Sequence, residues 1–186
     1  MAISDLSNKR ALHTLQTERL FLRAAQASDL DDLFEIFNDE DVMRYWSCPL
    51  HTDKEETNSY LTSMIASPTN GTLDFSLVLS SPRSSANGKV IGKVGIWNAE
   101  NQEIGFMLNR SYWGKGYMAE ALATVLPHIW KQGVRRIVAD VDPRNEASLR
   151  LLKRFGFQET GRAERTFETH LGWCDSVYLV LEKPKP

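Results

Sequence analysis

The stretch EIGFMLNRSYWGKGYMAEAL, residues 103–122, limits the fold more than any other part of the chain. It opens on a strand-length apolar segment, passes through Gly114 and Gly116, and runs into an apolar set at helical spacing: Met118, Ala121, Leu122, Val125, Leu126 and Ile129. A strand that turns into a helix through two glycines gathers free backbone N–H groups and the positive helix end at one point. That point seats an anion. Glycine at 114 and 116 removes side chains that would block approach, and Lys115 adds a cation at the rim. The expected ligand is a phosphorylated cofactor, with a plain tight turn as the other use of the same spacing.

Two further phosphate-binding patterns bear on this turn. The nucleoside-triphosphate loop G-x-x-x-x-G-K-[ST] is absent. Gly114, Gly116 and Ala119 do spell G-x-G-x-x-A, and Asp140 ends the next strand where a ribose-binding acid belongs. That fingerprint, however, opens directly after a buried aliphatic strand, whereas Arg110 to Trp113 intervene here. The strands before it also read as an antiparallel meander, so dinucleotide binding is a distant alternative.

The rest of the chain reads as alternating elements. TERLFLRAA places Leu20 and Leu22 on one face and Arg19, Phe21 and Arg23 on the other, as a first strand. SDLDDLFEIFND, with Ser28 as cap, repeats Leu30, Leu33, Phe34 and Phe37 at helical spacing. A second helix starts near Thr52 or Asp53 and breaks at Pro68, Asn70 and Gly71; VMRYWSCPL between the two is an aromatic loop. LDFSLVLS, KVIGKVGIW and EIGFMLN form three antiparallel strands, the first two joined by the unpatterned SSPRSSANG.

After the glycine turn comes a helix in which Pro127 predicts a kink and Gly133 an end. RRIVADV is a buried strand, NEASLRLLKRF a helix closed by Gly156, and FQETGRAE and VYLVLEK the last strands. A right-handed crossover makes EIGFMLN and RRIVADV parallel neighbours. The fold class is α/β of the α+β type: one domain over residues 1–186, with 1–14 and 182–186 as flexible ends.

Composition narrows the partners. The 22 Lys plus Arg against 24 Asp plus Glu leave no basic excess for a phosphate backbone, which argues against nucleic acid. Cys48 and Cys174 lack C-x-x-C spacing, and His13, His51 and His128 lack ligand-spaced companions, so no metal is assigned. With no signal-peptide core and no bilayer-length apolar run, the expectation is a soluble, cytoplasmic protein without a membrane partner.

Three ordered motifs resemble those of the GNAT acyl-CoA N-acyltransferases, most closely the RimJ/RimL-like branch: TERLFLR, EIGFMLNRSYWGKGYMAEAL and NEASLRLLKRFGF. The resemblance covers nearly the whole chain. It implies a mixed, mostly antiparallel sheet whose parallel central strands splay apart, with acetyl-CoA in the opening. Backbone groups of Met107 and Leu108 would pair with the pantetheine arm. N–H groups from Lys115, Gly116, Tyr117, Met118 and Ala119 would hold the pyrophosphate, and Asn145 would bond the cofactor near its thioester arm. Two departures from the general pattern are Trp113, usual in this branch, and Met118, a bulky residue at a close-contact position. A third is Leu152, where many relatives carry a tyrosine that protonates the leaving thiolate; Ser148 is the nearest replacement.

Acyl transfer to an amine needs a neutral nucleophile, a polarised carbonyl and a proton for the thiolate. Backbone N–H near Met107 is the candidate polarising donor and Ser148 the candidate acid. Glu103, at the start of its strand, is preferred over Asp140 as general base acting through water. The plainer use of these residues is a solvated strand-end charge, a turn acid and a locally bonded helix serine. Tyr45, Trp46 and the segment RTFETHLGWCD, which includes Glu168 and His170, are assigned to the acceptor side. The expected reaction is direct transfer, in a ternary complex, to a protein N-terminus or a small-molecule amine. Leu152 leaves a catalytically idle acyl-CoA-binding or sensing domain as the alternative.

Overall fold

The computed structural model describes residues 14–67, 72–80, 86, 88–169 and 172–185. Its elements are β1 (Leu15–Gln16), β2 (Leu20–Arg23), α1 (Leu30–Phe37), α2 (Glu40–Met43), α3 (Lys54–Ala66), β3 (Leu73–Leu79), β4 (Val90–Asn98) and β5 (Glu103–Leu108). They continue through α4 (Tyr117–Lys131), β6 (Arg136–Val141), α5 (Glu146–Arg154), β7 (Gln158–Thr169) and β8 (Gly172–Glu182). The strands form an eight-stranded sheet in the order β1-β2-β3-β4-β5-β6-β8-β7. Every neighbouring pair is antiparallel except β5 and β6, which run parallel as the crossover rule requires. With one parallel pair among the described residues, this is not the doubly wound sheet that dinucleotide binding needs.

Strand alternation divides the apolar residues between two layers. Leu20, Leu22, Phe75, Leu77 and Ile96 pack with Ala121, Leu122, Val125 and Ile129 of α4 on one side. Val78, Val90 and Met107 pack with Leu33, Phe37 and Leu61 of α1 and α3 on the other. Asp53 caps α3 by accepting from the Glu56 N–H, one of the helix's orphan donors. Helix α4 continues through Pro127, which is exposed, as is Ala123, whose carbonyl loses its partner; water can replace the missing bond.

Several expectations are corrected. β1 precedes the strand read as first, and its start falls just after residues 1–13, which lie outside the described residues. Ser28 does not cap. Asp29 instead accepts from the Gln26 N–H and takes both ends of the Arg23 guanidinium, at 2.8 and 2.7 Å. That pairing explains why Arg23, expected on an outer face, is only 3% exposed. The aromatic loop begins with α2, nucleated by Asp39 accepting from the Asp41 and Val42 N–H groups. RTFETHLGWCD is mostly strand, since β7 and β8 extend into a long hairpin; His170 and Leu171 lie outside the described residues. Glu182 completes β8 opposite Arg136 rather than fraying. Most of SSPRSSANG, and the Pro68, Asn70 and Gly71 breaker, also lie outside the described residues.

Candidate active site

β5 and β6 meet at one register pair, Glu103 with Val138, and then diverge. The Val138 N–H donates to the Gln102 carbonyl, while the Asn109 N–H at the other end donates to Ile91 of β4. Peptide groups alternate sides along a strand, so Phe106 and Leu108 face the opening while those of Met107 are directed to β4. This corrects the expectation for the Met107 backbone. The Leu108 carbonyl is taken by the Trp113 indole N–H at 2.7 Å, which also gives that tryptophan a local structural use.

A cavity of about 610 Å³ occupies the splay. Met107, Leu108, Gly116, Tyr117, Met118 and Ala119 line it on the side of β5 and α4, Asn145 and Ser148 on the side of α5, and Tyr45 and Trp46 across the top. Gly114 and Gly116 have φ of +72° and +80°, conformations that L side chains rarely adopt. A Cβ at 114 would meet nothing within 4 Å, and one at 116 only Arg19 Nη2 at 3.5 Å. The glycines therefore answer to backbone conformation and to the open space they face, not to crowding by the protein. An open cradle of this kind at the N-terminus of a fifteen-residue helix fits a pyrophosphate.

The cradle is braced from behind. Arg19 donates to the Lys115 carbonyl at 2.9 Å, pairs with Glu120 at 2.6 Å and lies 4.4 Å over the Tyr117 ring. Lys115 does not line the cavity; its ammonium donates to the Ser111 carbonyl at 2.8 Å. Met118 is 8% exposed and belongs to the core, which removes the steric objection to a bulky residue there. Asn145 Oδ1 caps α5 by accepting from the Ser148 N–H at 3.2 Å. Among the described residues the Asn145 amide N–H groups and the Ser148 hydroxyl have no partner, although both residues border the cavity. Leu152 is fully buried in the core and offers nothing to the site.

The candidate bases lie beyond that lining. Glu103 is joined to the cavity edge through Gly105, where a Cβ would come within 3.1 Å of both Trp46 Cη2 and Trp97 Cδ1. Burial pushes the Glu103 carboxyl up, the Asp140 charge pushes it further, and a hydrogen bond from the Trp97 side chain partly opposes both. Burial also raises Asp140, against a hydrogen bond from Ser176. Trp97 carries no sequence signal of its place here, because nothing in KVIGKVGIW distinguishes a site tryptophan from an ordinary strand aromatic. Glu168 is an exposed β7 residue opposite Trp173 and does not border the cavity. The described residues contain no group of three or more potential metal ligands, and no described helix is long and apolar enough to cross a membrane.

A splayed parallel pair with an anion cradle at its mouth is a site shaped for a phosphorylated ligand, and the family match gives its class, an acetyltransferase. Residues 19–158 match the acetyltransferase (GNAT) domain, and the chain belongs to that family. It is 29% identical over 174 residues to the uncharacterized N-acetyltransferase p20 of Bacillus licheniformis, covering 90% of this chain and 94% of that one. A GNAT-family acetyltransferase from Bacillus anthracis superposes with a TM-score of 0.77 at 25% identity, over 91% of this chain and 98% of the other. RimL, the ribosomal L7/L12 alpha-N-protein acetyltransferase solved in complex with coenzyme A, shares the fold with a TM-score of 0.78 at 20% identity, covering 91% of this chain and 98% of that one.

Proposed function

We propose that the protein transfers the acetyl group of acetyl-CoA to a primary amine, a protein N-terminus or a small molecule, by direct attack in a ternary complex. The observation that carries this reading is the continuity of cradle, splay and carboxylate: the cavity runs from Gly116 to Trp46, and Trp46 meets Glu103's strand at Gly105. The thioester supplies an activated acyl group when bound. N–H groups of Gly116 to Ala119 would hold the pyrophosphate, and those of Phe106 and Leu108 would face the pantetheine arm and the carbonyl.

Glu103 takes one proton from the ammonium, directly or through water, and its raised affinity for protons suits it to that exchange. The amine nitrogen then bonds to the acyl carbon as the carbon–sulfur bond breaks. The Ser148 hydroxyl gives a proton to the sulfur and recovers one from the nitrogen, so that the net products are amide, thiol and one released proton. Asp140 supports the charge on the incoming ammonium. The free cysteines Cys48 and Cys174 suit a reducing compartment, and we assign the reaction to the cytoplasm.

The test is free-thiol release from acetyl-CoA across peptides with different N-terminal residues, amino acids, polyamines and aminoglycosides. Release above water hydrolysis with an amine supports transfer. Binding of acetyl-CoA without release to any amine would support the idle binding domain instead.

A further inference from the structure

Glu103 and Gly105 share one face of β5, and the side chains that meet there come from distant parts of the chain. Trp97 of β4 lies against Gly105 and directs its indole N–H toward Glu103. Across the parallel pair, Asp140 of β6 lies on the same face, and its direct cross-strand partner is Tyr178 of β8. The two flanking aromatics are large and open to solvent: Trp97 is 46% exposed and Tyr178 37%. Two carboxylates thus lie between two exposed rings, on the strand face that Trp46, at the edge of the cavity, meets at Gly105.

Each part limits what can bind. The carboxylates attract one ammonium and give it a proton acceptor. They offer nothing to an anionic acceptor. The buried cation Lys93 is 5.4 Å from the Trp46 ring and 2.8 Å from its own counterion Asp74, so its pairing is with Asp74 and not with Glu103 or Asp140. The exposed rings supply flat apolar surface and a π face to whatever adjoins the ammonium. Gly105 is what lets the indoles of Trp46 and Trp97 converge over the strand, because any Cβ would press on both.

We infer that the acceptor is a monocationic amine carrying an aromatic group within a few bonds of the nitrogen, with Trp97 as its specificity-determining residue. This rests on the acetyl-transfer reading above. The same chemistry occurs in a free arylalkylamine and in a peptide that begins with an aromatic residue, and the experiment separates the two.

Thiol release from acetyl-CoA is measured with phenethylamine, butylamine, spermidine, and peptides beginning with Phe or Ser, using the full chain. Phenethylamine is expected to exceed butylamine about tenfold in kcat/KM, mainly through KM, the size that one aromatic contact supplies. Phe-initiated peptides above phenethylamine would assign the site to a protein N-terminus; the reverse order would assign it to a small molecule. Trp97→Ala is expected to abolish the phenethylamine-to-butylamine ratio. Trp97→Phe, which keeps the ring but not the N–H, is expected to preserve that ratio while lowering both rates. Equal loss toward both amines in Trp97→Ala would overturn the inference and leave Trp97 as a support for Glu103 alone. A preference for spermidine or the Ser-initiated peptide would overturn it as well, with acetyl transfer intact. Acetyl-CoA binding without turnover on any acceptor would instead remove the reading on which it rests.

Discussion

Lys93 gives the sharpest test of how the acceptor side of the sheet is held. Its side chain is 1% exposed, and its ammonium lies 2.8 Å from Asp74 Oδ2 and 2.8 Å from the Tyr60 hydroxyl. Burial disfavours the charge, but Asp74 and Tyr60 outweigh it and hold the lysine above its ordinary range. The perturbation is Lys93→Met, which fills the volume and removes the charge. Asp74 is 7% exposed at its side chain and already has one oxygen, Oδ1, without a partner. Removing its counterion should therefore cost about 3–5 kcal/mol, the range for breaking a buried pair from one side. At about 2–4 °C per kcal/mol for a chain of this size, the melting temperature should fall by about 6–20 °C.

The double variant Lys93→Met, Asp74→Leu removes both charges. It should recover most of that loss, apart from about 1–3 kcal/mol for the stranded Tyr60 hydroxyl. Equilibrium urea unfolding followed by circular dichroism measures all three proteins. A single variant within about 1 kcal/mol of the parent, or a double variant no better than the single, would refute this description of the pair.

Three further outcomes are expected. Gly116→Ala forces a left-handed backbone on a residue with a Cβ, so acetyl-CoA affinity by calorimetry should weaken and stability should fall by about 1–2 kcal/mol; unchanged affinity would detach the turn from the cofactor. Glu103 must be deprotonated to act, so kcat/KM should rise with pH through a limb above the ordinary glutamate range. Asp140→Asn should move that limb to lower pH by removing a neighbouring negative charge, and Glu103→Gln should eliminate it; an unaltered profile would remove Glu103 from the mechanism. Ser148→Ala should lower kcat far more than it weakens acetyl-CoA binding, and unchanged turnover would end its assignment as the acid.

The parts legible in the sequence were those built from neighbours in the chain. The glycine turn, the α4 stripe and the Asn145 helix are local, and each was readable from spacing and residue type. Arg23 and Lys93 were not, because a charged residue on a strand reads as outward-facing until its counterion is located. Asp29 lies across a turn from Arg23, and Asp74 on a separate strand from Lys93. The β7–β8 hairpin reads shorter in the sequence because Arg165 and the polar residues after it resemble a loop; in the structure the ladder is interrupted between Ala163 and Phe167 and resumes at the Phe167–Cys174 pair, which carries β7 on to Thr169. The acceptor side was the least legible: Trp97, Glu103, Asp140 and Tyr178 come from four strands and meet only when the sheet is assembled.

Direct transfer in a ternary complex is the central claim, and initial-rate kinetics with acetyl-CoA and the best amine from the acceptor panel test it most directly. Burial raises the Cys48 thiol, which disfavours a thiolate nucleophile there. Double-reciprocal lines at several fixed amine concentrations should intersect. Parallel lines, together with acetyl-CoA thiol release in a burst before amine is added, would mean an acyl-enzyme intermediate and contradict direct attack.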